Sequence, residues 1–361
     1  MSCVVFFCRL HSGVNVLGVY PLSRKLFQFD TAPARLLPWL LALAALVLVP
    51  LDAVSKPRAS KSQLVVKKKA SAKLRARALA RVEPARPSFG QISGLHAGGD
   101  ALDLKSSVAL VLDQDTNEVL FSKNPQAVLP IASITKLMTA LVVSEAKQPL
   151  DEVLSISAED IDTEKGSRSR LQVGTRLSRE EMLHLALMAS ENRAANALGR
   201  HYPGGAQAFV AAMNRKALVL GMKDTHYVEP TGLSSRNQSS ATDLAVLVRE
   251  VDKHPLIKQL STSPDYQVAL GARNVQFRNT NGLVRSGEWD IGVQKTGYIT
   301  EAGRCLVMQA QLSGRKLIMV LLDSAGKYSR IGDAERIRKW VSELPAVPRA
   351  PAAVAAIAPL V

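Results

Sequence analysis

Between Asp290 and Asp323 the chain passes through three apolar segments, DIGVQKTG (290–297), RCLVMQAQ (304–311) and KLIMVLLD (316–323). Each has the length of a strand. The separators, TEAG and Ser313-Gly314-Arg315, are too short for a crossover, so successive strands must run antiparallel. Near the other end, SVALVLD (107–113) and EVLFS (118–122) bracket Gln-Asp-Thr-Asn and read as a hairpin. Helical patterns lie between. Pro130 precedes the apolar stretch 131–143, which is long enough for a buried helix with Ser133 near its start. Ser178-Arg179-Glu180-Glu181 is a capping box opening a helix over 179–189, and Thr242-Asp243 marks the cap of another running to about residue 251. AERIRKWVSEL (334–344) closes the series, with Ile337, Trp340, Val341 and Leu344 at helical spacing. The order strand–strand–helices–three strands–helix predicts the α/β class: an antiparallel β-sheet flanked by helices, its outer strands coming from both ends of the domain.

Charge and hydropathy divide the chain further. The net charge of +15 is concentrated in residues 56–86, which hold eleven Lys or Arg against one acid, Glu83. Residues 36–51, LLPWLLALAALVLVPL, form a short apolar run behind Arg35 with small residues, Ala53 and Ser55, at its exit. That pattern predicts a signal peptide or N-terminal anchor over 1–55. A basic, solvated arm follows over 56–97, then a folded domain over 98–345 and a Pro/Ala-rich tail over 346–361. The arm suits an anionic wall or membrane surface. Nucleic acid would attract it equally, but an exported chain does not meet any, so none is expected as a partner. Cys3 and Cys8 precede the apolar run, leaving Cys305 alone in the exported portion. No internal disulfide is expected, which is compatible with the periplasm.

A serine hydroxyl needs a base to become a nucleophile, and a lysine three residues later on a helix lies within its reach. The S-x-x-K pattern occurs four times, at Ser133/Lys136, Ser144/Lys147, Ser313/Lys316 and Ser324/Lys327. Only Ser133/Lys136 sits in an apolar stretch, ASITKLM, where burial favours the neutral amine that can act as a base. Two more motifs follow in order: Ser190-Glu191-Asn192 where the 179–189 helix ends, and Lys295-Thr296-Gly297 on a predicted strand. Each is weak alone, but the ordered set S-x-x-K, S-x-N, K-T-G is the signature of penicillin-binding proteins and serine β-lactamases. There is no G-x-S-x-G elbow. His184, His201, His226 and His254 are scattered without H-E-x-x-H or a similar pair, so neither a metal nor a cofactor is expected. His184 and Cys305 read as packed residues.

The stretches LPIASITKLMTA, GTRLSREEMLHLALMASENRAANALGRHYPGG, VEPTGLSSRNQSSATDLA and VQKTGYITEAGRCLVMQAQLSGR resemble the low-molecular-mass D-alanyl-D-alanine peptidases over about residues 100–345. Within them the likeness is to the endopeptidase branch of the penicillin-binding protein 7 type. The resemblance implies a DD-peptidase/β-lactamase-like transpeptidase fold, peptidoglycan stem peptides as substrate and β-lactams as inhibitors. It implies Ser133 as the acylated nucleophile, Lys136 as its base, and Ser190 with Lys295 near the leaving group. Asn192 would bind the substrate backbone and Thr296, with Gly297 beside it, the substrate carboxylate. The backbone N–H groups of Ser133 and Tyr298 would form the oxyanion hole. Arg330, in KYSRIGDAERI, resembles an arginine that some members aim at the carboxylate. Endopeptidase and carboxypeptidase share these motifs and differ in leaving group, so the motifs leave both open. The loop Glu229-Pro230-Thr231-Gly232-Leu233 departs from the Glu-Pro-x-Leu-Asn of class A β-lactamases and argues against that activity. The complete triplet argues against a receptor that has lost its nucleophile.

Overall fold

The computed structural model describes residues 86–345 apart from Ala272. The expected signal or anchor segment, most of the basic arm and the Pro/Ala tail lie outside the described residues. Order begins ahead of the expected boundary at 98. Ser88 caps the short helix α1 (Phe89–Ile92) in a reciprocal capping box with Gln91, and the Phe89 N–H donates to the Glu301 carbonyl at 2.9 Å.

One five-stranded sheet organises the rest. Its strands are β1 (Ser106–Asp113), β2 (Val119–Lys123), β9 (Asp290–Ile299), β10 (Gly303–Leu312) and β11 (Arg315–Ser324), in the order β2-β1-β11-β10-β9. Every pairing is antiparallel, as the short connections required. The N-terminal hairpin therefore joins the last strand, and β2 and β9 form the two edges.

Both faces of the sheet are covered, which is why its strands read as nearly continuous apolar runs. Alternate residues of β11 serve the two sides. Ile318, Val320 and Leu322 face a large core, while Leu317, Met319 and Leu321 face a smaller one. The smaller core is closed by Ile337 and Val341 of the last helix, α9 (Ser329–Glu343). That helix begins five residues before the expected start at 334. The difference is tertiary: its Asp333, fully buried, accepts from the N–H groups of Lys105 and Ser106 and from the Ser106 and Ser324 hydroxyls, fastening it to the start of β1.

The larger core holds the helices between β2 and β9. These are α2 (Thr135–Glu145), α3 (Arg179–Met188), α4 (Asn192–Arg200), α5 (Gly205–Val219), α6 (Ala241–Val251) and α7 (Pro255–Thr262). Small strand pairs fill out the connections: β3 (Leu129–Pro130) with β6 (Gln238–Ser239), β4 (Val153–Ser155) with β5 (Arg176–Ser178), and β7 (Asp265–Leu270) with β8 (Arg273–Arg278). A one-turn helix, α8 (Gly282–Ser286), leads into β9. The capping box at Ser178 and Glu181 is formed as expected. The cap of α6 is a correction: Ser240 accepts from the Asp243 N–H, and Thr242 and Asp243 sit inside the first turn. No helix among the described residues is long and apolar enough to cross a membrane.

Candidate active site

Ser133 lies in a tight 3-10 turn, Ala132–Ile134, that runs directly into α2. Ala132, the residue before it, has φ of 47°, a left-handed conformation that is costly for a residue with a Cβ. Two glycines from distant parts of the chain press on the same peptide group. A Cβ on Gly232 would stand 1.9 Å from the Ala132 carbonyl oxygen and 2.8 Å from the Ser133 nitrogen. One on Gly297, in β9, would stand 3.0 Å from the Ile131 oxygen and 3.1 Å from the Ser133 nitrogen. The Ser133 turn is thus held between two bare backbones, where a side chain would be in the way.

One turn along, Lys136 is fully buried. Its Nζ lies 2.8 Å from Ser133 Oγ, 2.7 Å from Asn192 Oδ1 and 2.6 Å from the Thr231 carbonyl. Burial pulls its pKa down to about 7, against the opposing pull of the Glu229 and Glu191 carboxylates. No hydrogen bond joins the serine and lysine of the other three S-x-x-K pairs; Lys147, Lys316 and Lys327 are all exposed.

The second motif closes the site from the helical side. Ser190 follows the end of α3 with φ of 60°, another left-handed residue bearing a side chain. The third motif closes it from the sheet. Lys295 is also fully buried, with Nζ 2.9 Å from both Ser190 Oγ and the Thr296 carbonyl. Burial, then the nearby Lys136 and Arg330 charges, hold its pKa well below the usual lysine value. Thr296 shares a 2.6 Å hydroxyl–hydroxyl hydrogen bond with Thr280. Tyr298 is half-exposed on β9, its ring 4.4 Å under the Arg304 guanidinium. Arg330, on the first turn of α9, is half-buried, and its Nε and Nη1 have no protein partner among the described residues. All nine expected site residues therefore have a place in the described structure. Direct hydrogen bonds join them in two sets, Ser133–Lys136–Asn192 and Ser190–Lys295–Thr296, with Gly297 packed against Ser133.

With this geometry in hand, comparison with known proteins is direct. Residues 96–326 match the Peptidase_S11 family, described as D-alanyl-D-alanine carboxypeptidase. The chain belongs to this family. It is 51% identical over 252 residues to a D-alanyl-D-alanine endopeptidase of Pseudomonas aeruginosa, covering 69% of this chain and 81% of that one. It is 46% identical over 241 residues to a D-alanyl-D-alanine endopeptidase of Escherichia coli, covering 66% and 78%. The structure superposes on the Streptomyces K15 DD-transpeptidase with a TM-score of 0.63 at 25% identity, covering 68% of this chain and all of that one. The fold is thus of the DD-transpeptidase kind.

Several residues of this S11 peptidase that sequence reasoning missed complete the site. Glu229, read from the sequence as a loop residue, is the hub of the 229–237 loop. Its carboxylate accepts from the N–H groups of Thr231, Gly232 and Ser234, from the Thr231 hydroxyl and from Asn237 Nδ2. The same loop is pinned to α2, since Thr139 Oγ1 donates to the Pro230 carbonyl at 2.7 Å. Glu229 therefore shapes the turn that brings the Thr231 carbonyl to Lys136 and Gly232 to Ser133. Ser167 accepts from Asn192 Nδ2 at 2.9 Å and fixes the orientation of that amide. Thr280, on a loop that the strand and helix patterns skipped, supplies the partner of Thr296. The turn glycine at 232 and the asparagine-rich NTNG at 279–282 were the available signals.

His184 and Cys305 are packed residues. His184 bonds Ser263 Oγ and stacks at 4.2 Å on Tyr266, with its pKa lowered to about 4 by burial. The Cys305 thiol is buried and pushed up to about 12. Glu145, Glu250 and His254 approach one another, but Lys216 bonds both carboxylates at 2.6 and 3.3 Å, which leaves them poorly suited to a metal ion.

Proposed function

We propose that the chain is an exported serine D-alanyl-D-alanine endopeptidase that hydrolyses D-alanyl cross-links between peptidoglycan stem peptides through an acyl-enzyme on Ser133. One observation carries the reading. Lys136 is buried and meets two pure acceptors, Asn192 Oδ1 and the Thr231 carbonyl, plus the Ser133 hydroxyl. A neutral amine has two N–H bonds and one lone pair. The two acceptors take the N–H bonds, and the lone pair is left for the serine proton. A pKa near 7 suits that exchange at neutral pH.

In the first step Ser133 Oγ attacks the carbonyl of the cross-linking D-alanine as its proton passes to Lys136. The oxyanion of the tetrahedral intermediate is taken by the N–H groups of Ser133 and Tyr298. Ser190 and Lys295 carry a proton to the leaving amine, which departs with the second stem. Water then attacks the ester and restores the Ser133 hydroxyl. Asn192 holds the substrate backbone. Edge strand β9 has unpaired backbone groups to line up an extended peptide. Thr296, with Gly297 beside it, and the unpartnered Arg330 guanidinium receive the carboxylate beside the leaving amine.

The relatives at 51% and 46% identity support the endopeptidase reading. The family description supports a second one, carboxypeptidase trimming of terminal D-Ala. Incubating the chain and its Ser133→Ala variant with cross-linked muropeptide dimers and with monomeric pentapeptide separates them. Dimers converted to monomers by the parent alone support the endopeptidase. Loss of D-Ala from the pentapeptide alone supports the carboxypeptidase, and activity surviving Ser133→Ala sinks both. A labelled penicillin should acylate the parent and not the variant. The peptidase domain occupies 98–345 in this proposal, and the 56–86 arm adds contact with the anionic wall or membrane surface. Unchanged sedimentation with purified sacculi after deletion of 56–86 would remove the wall role.

A further inference from the structure

A cleft of about 410 Å³, lined by none of the nine expected site residues, lies between β5 and the β7–β8 hairpin. Three arginines, Arg170, Arg176 and Arg273, line it together with Gln172 and Thr175, and no acidic side chain is in its wall. Glu191 lies 3.8 Å from Arg170, but Arg176 and Arg273 have no carboxylate partner among the described residues, and guanidinium groups gathered in this way are electrostatically costly unless solvent or an anion neutralises them.

The three arginines are held differently. Arg170 is fixed: its guanidinium stacks 3.7 Å over the Phe277 ring and donates to the Gln276 carbonyl at 2.7 Å. Arg176 and Arg273 form no ion pair among the described residues, and both are exposed. Arg273 lies cross-strand from Leu270, two residues before Val275 and four before Phe277. That alternation puts it on the hairpin face that packs on the body, turned toward Arg170 rather than away from it.

The cleft also adjoins the site. Arg170 Nε is 3.8 Å from Glu191, and the neighbouring Ser169 hydroxyl donates to the same carboxylate at 2.6 Å. Glu191 is followed directly by Asn192, which bonds Lys136. Ser167, three residues before Arg170, accepts from Asn192 Nδ2 at 2.9 Å, so the segment that carries Arg170 and Arg176 also borders the site.

We infer that the Arg170–Arg176–Arg273 cleft is a carboxylate subsite that grips the free acid groups of the stem peptide away from the cleaved bond. It rests on the endopeptidase reading only for the name of the ligand. Guanidinium forks match carboxylates bidentately, and the cleft's volume accommodates a few peptide residues. Recognition of a stem by its acids selects wall peptide over neutral D-alanyl peptides.

Binding tests this without turnover. The whole chain carrying Ser133→Ala is titrated with cross-linked dimers by calorimetry. Two forms of the dimer are compared: the free acid, and one amidated at every carboxylate except that beside the leaving amine. The free acid should bind about tenfold more tightly at low salt, an advantage that shrinks as salt is raised. Adding R176Q and R273Q should bring the two forms within about twofold while leaving the affinity for the amidated dimer unchanged. Both positions are exposed, and the single substitutions, each expected to remove part of the preference, check that the fold is intact. Equal binding of the two dimers, or a preference untouched by the substitutions, would overturn the inference; the arginines would then be solvated guards of exposed strand edges. A preference that persists while the unsubstituted chain leaves dimers uncleaved would defeat the endopeptidase reading and support the cleft.

Discussion

The carbonyl oxygen of Thr231 lies 2.6 Å from Nζ of Lys136, a contact between residues 95 positions apart. It fixes where the amine points. Rotation of the lysine away from Ser133 would abandon a buried carbonyl with nothing else to bond it, at a cost of about 1–3 kcal/mol. The loop thereby orients the base, and the consequences can be measured.

Lys136→Met should abolish acylation and make the stability difference from the parent depend on pH, since it removes a buried amine but also the donor to Asn192 Oδ1 and the Thr231 carbonyl. The lysine's pKa is about 7 in the folded chain, against ~10.4 in the unfolded one. The unfolded chain therefore holds the proton more tightly. The resulting penalty is fully present below pH ~7, on the order of 5 kcal/mol, and fades as pH rises toward ~10. Thermal unfolding should show the Tm difference shifting in the parent's favour as pH rises from 6 to 9. Acylation by labelled penicillin should fall by about 10²–10⁴. A Tm difference that is the same at pH 6 and pH 9 would contradict the buried, depressed lysine.

Glu229→Gln tests the loop electrostatically. The parent's acylation rate should rise with pH through a pKa near 7 as Lys136 loses its proton. The Glu229 carboxylate raises that pKa, so its removal should move the acid limb to lower pH. The plateau rate should also fall, because the glutamine oxygen cannot accept from every donor that now meets the carboxylate. Pre-steady-state acylation between pH 5 and 9 reads both effects. A limb that stays in place would place Glu229 outside electrostatic contact with the base.

Gly232→Ala should be severe. Its φ of 83° strains any side chain, and the new Cβ would collide with the backbone before Ser133. We expect a loss of about 2–4 kcal/mol in urea unfolding, together with acylation reduced by at least about 100-fold. Normal acylation in a folded Gly232→Ala protein would mean that the loop does not set the Ser133 turn.

Ser190 separates strain from chemistry. Ser190→Gly should relieve the left-handed backbone and stabilise by about 1 kcal/mol, whereas Ser190→Ala should keep the strain. Both remove the hydroxyl from Lys295 and should slow acylation to a similar extent. If Ser190→Gly retains the parent rate, the hydroxyl is not part of the proton path.

Local patterns determined much of this protein without reference to its fold. The short separators between 290 and 323 dictated an antiparallel meander, the capping box at Ser178 started α3, and burial of ASITKLM singled out one S-x-x-K pair from four. Each depends on residues within a few positions of one another, where steric and hydrogen-bonding preferences act on the chain directly. Tertiary structure decided the rest. Asp333 set the start of α9 by bonding Ser106, and Ser240 rather than Thr242 or Asp243 capped α6. Thr231, Gly232 and Thr280 entered the site, and Arg273 joined Arg170 and Arg176 around one cleft from a hairpin that the sequence pattern had passed over. Loops of this kind carry no periodicity. Their conformation is fixed by buried acceptors and close backbone packing against segments 16 to 95 or more residues away, and those partners exist only once the core has formed.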